Sequence, residues 1–197
     1  MKYYFAFDLD GTVTKKEILP LIAKEIGIQK EMAILTKKTM AGEIPFDQSF
    51  KKRVNMLKKV PINKVQEIVK NIKLSNPILH FMQKNRNRCY IVTQNLDVWV
   101  ELLLKKIGIP ALTSKADYKG NRLIGIKKIL RKNIIHRKVD YPVVVIGEGY
   151  NDLEMMIDAP ISIAFGGIHK PADPVLEVVD YAIYDENQLC RFLKQLL

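Results

Sequence analysis

Cysteine is scarce in this chain, and that limits the classes of protein to which it can belong. Its 197 residues include two cysteines, Cys89 and Cys190, so no framework of several disulfides is available and a reducing, cytoplasmic compartment is expected. The sequence has no run of about 18 apolar residues, so no membrane-spanning helix is predicted. The N-terminal residues are typical of a strand rather than of a basic segment followed by a long apolar core, so no signal peptide is expected.

Two kinds of binding motif are also missing. No GxxxxGK[ST] sequence occurs, which argues against a phosphate-binding loop of the NTPase type. The three histidines, His80, His136 and His169, are scattered and have no Cys/His spacing that zinc sites use. We therefore expect these histidines at the surface or at helix ends.

Positive charge, in contrast, is in excess, with a formal net charge of +11. Such an excess suits an anionic substrate, nucleic acid, an anionic surface or simply solubility. The basic clusters at 84–88 and 127–138 lack the interleaved aromatic residues of nucleic-acid sites, so we interpret them as solvated faces. Neither a nucleic acid nor a membrane is expected as a partner, and the sequence leaves monomer and homodimer open.

The order of apolar segments predicts the fold class. An apolar run at 3–7 indicates a short buried strand, and residues 14–76 show helical periodicity, with four helices. The second of these helices is predicted over 29–40 and the third over 46–57, and the fourth is predicted to begin at Pro61. From residue 77 onward strands and helices alternate, with a hairpin turn at 119–121 and a helix over 126–135. This pattern predicts an α/β, Rossmann-like parallel sheet formed by residues 1–13 and 77–197, with a helical domain, 14–76, inserted after the first strand.

Two aspartates, Asp8 and Asp10, follow the first strand and precede Gly11. Residues two apart in a strand point to the same side, so the two carboxylates can lie together. At about 4 Å they would repel each other by roughly 4 kcal/mol at an effective dielectric constant near 20. A divalent cation such as Mg²⁺ would offset that repulsion. The alternative is a turn with two solvated acids, and the spacing alone leaves it open.

Polar residues also follow two later strands. The second strand, predicted over 89–92, is followed by Thr93, Gln94 and Asn95, and the strand at 142–146 is followed by an acidic glycine-rich segment at 147–152. Because parallel strands deliver their carboxyl ends to one edge of a sheet, these groups should converge, and Lys127 could reach the same place. Such a set suits phosphoryl transfer, which needs a nucleophile, a cation and donors for the phosphoryl oxygens.

These segments together resemble the haloacid dehalogenase (HAD) superfamily of Mg²⁺-dependent phosphohydrolases. The sequence Asp-Leu-Asp-Gly-Thr at 8–12 is similar to the family's first motif, Thr93 to the second, Lys127 loosely to the third, and 147–152 to the fourth. The resemblance implies a HAD-like core domain with the helical domain as its cap.

The resemblance also implies roles for individual residues. Asp8 would be the nucleophile and Asp10 the acid/base. The phosphate would be bound by Thr93, Gln94, Lys127 and Asn151, with Lys128 and Lys115 as alternatives to Lys127. Magnesium would be bound by Asp8, Asp10 (through its backbone carbonyl), Glu148 and Asp152.

The inserted helices resemble the cap of the phosphoserine phosphatase branch, through the pattern Met40-x-Gly42-x₃-Phe46-x₂-Ser49-x₃-Arg53. The resemblance implies that Glu17 binds the substrate's ammonium, Arg53 its carboxylate, and that Met40 and Phe46 cover it. Ordinary core packing is the alternative for Met40 and Phe46. For Arg53 the alternative is a solvated basic face.

Two departures from the family pattern bear on specificity. Thr93-Gln94-Asn95 stands where this branch usually has Ser-Gly-Gly, so the wall beside the substrate is either crowded or richer in donors. Glu148 stands where aspartate is usual. We expect Glu148 still to bind the metal, directly or through water.

The predicted function is a Mg²⁺-dependent phosphomonoester hydrolase that acts through an aspartyl-phosphate on a small phosphorylated metabolite. Within the resemblance this means O-phospho-L-serine, hydrolysed to L-serine and phosphate in serine biosynthesis. The alternatives are a HAD phosphatase or phosphotransferase for another small phosphomonoester, and a non-catalytic binder of anionic ligands or nucleic acid.

Overall fold

The structure, a computed structural model, describes residues 2–197 except for the side chain of Met40. The strands are β1 (Tyr4–Phe7), β2 (Cys89–Leu96), β3 (Ala111–Lys119), β4 (Arg122–Lys128), β5 (Val143–Gly147), β6 (Ile161–Phe165) and β7 (Tyr181–Ile183). The α-helices are α1 (Ile18–Lys24), α2 (Gln29–Met40), α3 (Phe46–Leu57), α4 (Ile62–Lys70), α5 (Asn76–Lys84), α6 (Asp97–Ile107), α7 (Ile135–Lys138), α8 (Leu153–Met156), α9 (Asp173–Leu176) and α10 (Glu186–Lys194).

The strands form one sheet in the order β4-β3-β2-β1-β5-β6-β7, parallel except for the antiparallel pair β3–β4. Strand β1 lies at the centre, where Phe7 pairs with Ile91 on one side and with Ile146 on the other. The chain therefore leaves β1 between the carboxyl ends of β2 and β5, which is where a parallel sheet places its ligand site.

Both faces of the sheet are covered by helices. Along β1, Phe5 and Phe7 belong to the larger apolar cluster, whereas Ala6 belongs to the second one. The Phe5 ring meets Phe81 of α5 edge-on, with centroids 5.3 Å apart, a favourable arrangement for aromatic pairs. On the other face Ala6 shares its cluster with residues of α7, α8 and α9. The predicted α/β fold class is confirmed.

Helices α1 to α4 occupy the predicted helical segment; α2 and α3 begin at the predicted residues, and α4 begins one residue after Pro61. Their apolar side chains form a stripe that is buried against the rest of the molecule; it includes Ile18, Ile22, Phe50, Val54, Leu57, Val65 and Val69. No helix in the part of the chain that the structure describes is long and apolar enough to cross a membrane. The division into a core domain and a cap domain stays a prediction.

The two chain crossings that connect the sheet to helices α1–α4 lie side by side. Thr14 and Leu74 form an antiparallel bridge, and the backbone N–H of Ser75 donates to the Val13 carbonyl at 2.9 Å. The Glu186 carboxylate, at the start of α10, accepts hydrogen bonds from both Lys15 and Ser75. One side chain of the last helix thus holds both crossings.

One predicted element is wrong. Residues 126–135 were expected to form a helix, but the chain continues as β4 to Lys128, makes a 3₁₀ turn over Lys132–Ile134 and begins α7 only at Ile135. Antiparallel pairing across the predicted turn at 119–121, with Tyr118 opposite Leu123, overrides the weak helical spacing of the apolar residues. The predicted hairpin itself is confirmed.

Both cysteines are free and buried. Burial raises the pKa of the Cys89 thiol to about 12, so this side chain acts as a small apolar residue of the core.

Candidate active site

Asp8 lies at the carboxyl end of β1 and shares a buried ion pair with Lys132. The Lys132 ammonium lies 2.5 Å from Asp8 Oδ1 and 2.5 Å from Asp152 Oδ1. Burial and the nearby Asp152 charge raise the pKa of Asp8 to about 8. Burial disfavours charged Lys132, but the Asp152 and Asp8 carboxylates outweigh that effect and raise its pKa. One ammonium therefore contacts two buried carboxylates.

Lys132, and not Lys127, is the lysine at the site. Lys127 and Lys128 are exposed on β4, and Lys115 forms an ion pair with Asp97 at 3.3 Å. The prediction chose Lys127 because it placed a helix over this segment, whereas the strand and the following 3₁₀ turn direct Lys132 inward. Lys132 is one basic residue in a run of several, so only the pairing of β4 distinguishes it.

Asp10 has both carboxylate oxygens engaged. Its Oδ1 accepts from the backbone N–H of Ile18 at 2.8 Å, at the first turn of α1, and its Oδ2 accepts from Asn95 Nδ2 at 2.5 Å. Burial raises the pKa of Asp10. The two hydrogen bonds favour the ionised form and oppose this shift, but burial is the larger effect. The sequence left open whether Asn95 would crowd the wall or add a donor, and here it adds the donor that glycine at this position would lack.

The last residues of β2 form the polar wall that the sequence predicted. Thr93 Oγ1 accepts from Asn95 N at 3.2 Å and lies 3.0 Å from Asn95 Nδ2. Gln94 Nε2 donates to the Leu130 carbonyl at 3.0 Å. Its Oε1 is buried and has no hydrogen-bond partner among residues 2–197. The Thr93 hydroxyl hydrogen and the Gln94 carbonyl are thus free to meet a bound molecule.

Asp152 organises the acidic loop after β5. Its Oδ2 accepts from the backbone N–H groups of Glu148 and Gly149, both at 2.9 Å, while its Oδ1 contacts Lys132. A side chain at Gly147 would overlap the Asp152 carboxylate, so this close approach requires glycine. Both oxygens of Asp152 are therefore engaged within the protein, and its role as a metal ligand stays a prediction.

Glu148 is the uncompensated acid of the site. Only 2% of it is exposed, and neither of its oxygens has a hydrogen-bond partner in the described part of the chain. Burial, followed by the negative charges of Glu17 and the neighbouring aspartates, raises its pKa to about 10. A buried carboxylate among other carboxylates is costly unless it is protonated or meets a cation. The donor set, all oxygen, fits Mg²⁺.

Arg53 and Glu17 face the aspartates from the helical segment. Arg53 is only 5% exposed, and its guanidinium lies 5.7 Å from the centroid of the Phe46 ring. Its Nη1 lies 3.4 Å from Thr36 Oγ1. Burial lowers the pKa of Arg53, while Glu17 and Asp10 oppose that effect. The alternative of a solvated basic face for Arg53 is wrong.

A cavity of about 60 Å³ joins these residues. Most of the predicted site residues line it, namely Asp8, Asp10, Glu17, Phe46, Arg53, Thr93, Gln94, Glu148 and Asn151. The side chain of Met40, predicted to cover the substrate, lies outside the described part of the structure. The cavity brings two aspartates, a buried glutamate and a guanidinium together, and the buried Lys132 ammonium contacts one of these aspartates, Asp8.

Comparison with known proteins defines the class. The family of haloacid dehalogenase-like hydrolases (HAD) matches residues 5–156, so the chain belongs to this family. Its residues 8–12 and 147–152, which carry the family resemblance, meet at the cavity described above.

Within the family the chain is phosphoserine phosphatase-like. It is 29% identical over 212 residues to a phosphoserine phosphatase of Methanocaldococcus jannaschii, covering 98% of each chain. A substrate-bound phosphoserine phosphatase complex superimposes with a TM-score of 0.86 at 27% identity, over 100% of this chain and 99% of that one. A phospho-aspartyl intermediate analogue of phosphoserine phosphatase superimposes with a TM-score of 0.84 at 26% identity, over 98% of this chain and 99% of that one.

Proposed function

We propose that this protein hydrolyses O-phospho-L-serine to L-serine and phosphate through an aspartyl-phosphate on Asp8. The observation that carries the proposal is the cavity in which Asp8, paired with buried Lys132, faces Arg53 and Glu17. Asp8 and Lys132 suit a phosphoryl group, whereas Arg53 suits the carboxylate of an amino acid and Glu17 suits its ammonium.

The chemistry divides between the two aspartates. In the first step an Asp8 oxygen attacks phosphorus, the bond from phosphorus to the serine oxygen breaks, and Asp10 donates a proton to that oxygen. In the second step Asp10 takes a proton from water, the resulting hydroxide attacks phosphorus, and the bond to Asp8 breaks. The contacts of Asp10 with Ile18 and Asn95 hold its carboxyl group in one orientation for both transfers.

Donors for the phosphoryl oxygens follow from the hydrogen-bond count. The Lys132 ammonium has three N–H groups, and two of them point to Asp8 and Asp152, which leaves one for the substrate. Thr93 Oγ1 accepts from Asn95, so its hydrogen is free to be donated. Asn151 lines the same cavity. In this assignment Lys132 takes the role that was predicted for Lys127.

Members of this family are typically magnesium-dependent, and the residues present fit the ion. Asp8, the Asp10 backbone carbonyl and Glu148 would hold Mg²⁺, with Asp152 fixing the loop and Lys132 beside them. The bound ion would neutralise the phosphoryl charge and the crowded carboxylates. A cytoplasmic location stays a prediction, in keeping with two free cysteines.

A second candidate is hydrolysis of another small phosphomonoester by the same residues. It is favoured by the unpartnered Oε1 of Gln94 in the cavity wall, an acceptor that would suit a hydroxyl or amine donor on the substrate. Substrate comparison distinguishes the two candidates.

The first test is phosphate release from a panel of phosphomonoesters, with and without Mg²⁺, for the wild type and Asp8→Asn. Asparagine preserves size but cannot form the phosphoenzyme, so we expect a loss of activity on the order of 10³-fold or more. Activity of Asp8→Asn close to that of the wild type would refute the covalent mechanism.

The second test compares phosphoserine with phosphoethanolamine, which lacks the carboxylate. The wild type should prefer phosphoserine, and Arg53→Lys should lose most of that preference, about tenfold or more, because lysine cannot pair with a carboxylate through two parallel hydrogen bonds. Equal use of both substrates by the wild type would favour the second candidate.

A further inference from the structure

Three side chains from separate parts of the chain converge beside the catalytic aspartates. Glu17 precedes α1, Glu148 lies in the loop after β5, and His169 lies in the loop after β6. One potential ligand atom from each lies within 4.8 Å of the others. Glu17 Oε1 is 3.9 Å from His169 Nε2. The group offers two carboxylates and an imidazole.

Glu148 is the member that points to a ligand. Its carboxylate is buried, and both oxygens lack a hydrogen-bond partner across the described chain. It lies over Gly11, where a side chain would overlap it, so the turn that follows β1 makes room for this group. The extra methylene of glutamate, relative to aspartate, extends the carboxylate from the loop toward Glu17 and His169.

We propose that Glu17, Glu148 and His169 bind a first-row transition-metal dication such as Zn²⁺, at a position distinct from that of Mg²⁺. Imidazole nitrogen suits such ions, whereas Mg²⁺ prefers oxygen ligands, so the histidine gives the site its selectivity. Three protein ligands leave a coordination position for water. The His169 side chain is 44% exposed, which gives the ion a path from solvent.

The site has a consequence that rests on the proposed function. Glu17 is assigned there to the substrate's ammonium, so a metal on Glu17 and substrate exclude each other at this carboxylate. Glu148 has two oxygens and can contact Mg²⁺ with one and the second ion with the other. The transition metal would then act as an inhibitor that leaves the phosphoryl-binding residues in place.

The test is a titration with Co²⁺, a coloured substitute for Zn²⁺, in saturating Mg²⁺ and without substrate. The wild type should bind one equivalent with visible absorption bands, and Zn²⁺ should displace it. His169→Ala, which removes an exposed side chain, and Glu17→Gln should each bind Co²⁺ about tenfold or more weakly. His80→Ala, an exposed histidine on α5, should behave as the wild type.

Unchanged Co²⁺ affinity in His169→Ala, or an equal loss in His80→Ala, would overturn the proposal. Because this measurement uses no substrate, its failure would leave the proposed hydrolysis standing. Conversely, an inactive wild type that binds Co²⁺ through His169 would refute the hydrolysis and retain the metal site.

Discussion

At the scale of single residues, the Lys132 ammonium is the positive charge on which two buried carboxylates depend. It is fully buried and contacts Asp8 and Asp152 at the same distance. Removing one partner of a buried ion pair leaves an uncompensated charge, which costs more than the pair itself contributes.

We therefore expect Lys132→Met, which keeps most of the side-chain volume, to lower the free energy of unfolding by about 3–5 kcal/mol. It should also lower phosphate release by about 10²- to 10³-fold, the usual cost of losing one donor to a transition state. Urea unfolding and steady-state assays measure the two effects. Lys127→Met, at an exposed position on β4, should change neither, and equal losses in both variants would disprove the assignment.

The convergence of Asp8 and Thr93 at one edge of the sheet could be predicted from the sequence because their positions depend on strand order alone. Asp8 and Thr93 each end or follow an apolar run, and parallel strands bring such positions together. The hydrogen bond from Asn95 to Asp10 could not be predicted, because it depends on side-chain orientation. Lys132 could not be distinguished from its basic neighbours, because the sequence did not show that β4 extends to Lys128 and is followed by a turn.

At the scale of elements, the turn over Leu9–Val13 connects β1 to the helices and packs against the acidic loop. Gly11 adopts the left-handed conformation, with φ of +67°, directly beneath the Glu148 carboxylate. Gly27, between α1 and α2, has a similar φ of +73° but has open space where a side chain would lie.

These two glycines form a matched pair for mutation. Gly11→Ala and Gly27→Ala share the backbone strain of about 1–2 kcal/mol, but only Gly11→Ala also collides with Glu148. We expect Gly11→Ala to be less stable than Gly27→Ala by a further 1–3 kcal/mol or so, the usual cost of overpacking. Urea unfolding measures the difference, and equal stabilities would mean that Glu148 moves away freely.

The elements themselves were largely predictable because their apolar periodicity is strong. Helices α2 and α3 have the predicted bounds, Gln29–Met40 and Phe46–Leu57. The exception is β4, where the spacing of Ile126, Ile129 and Leu130 matched a helix. The strand conformation of β4 is stabilised by pairing with β3. This pairing joins two separate segments, so the local spacing of apolar residues does not reveal it.

At the scale of the whole molecule, a chain with a net charge of +11 surrounds an acidic cavity. In the absence of a metal ion, the folded state keeps protons on Asp8, with a pKa of about 8, and on Glu148, with a pKa of about 10. The unfolded chain releases both near the ordinary values of 3.8 and 4.5. Between the unfolded and folded pKa values, the folded state therefore binds more protons than the unfolded chain. The free energy of unfolding falls as pH rises through this range.

We predict that the metal-free protein loses thermal stability progressively from about pH 4 to about pH 10, the range between the unfolded and folded pKa values of Asp8 and Glu148. Addition of Mg²⁺ should flatten this dependence, because a bound cation stabilises the ionised carboxylates. Glu148→Gln, which cannot ionise, should show a shallower slope without metal. Melting temperatures from calorimetry test this, and a stability that rises with pH in metal-free buffer would contradict it.

The contact of Glu186 with both Lys15 and Ser75 has a mechanical consequence. Both crossings meet at one carboxylate, so a substitution that removes it takes a contact from both of them at once. The last helix, though far along the sequence from either crossing, thereby contributes to the position of helices α1–α4 relative to the sheet.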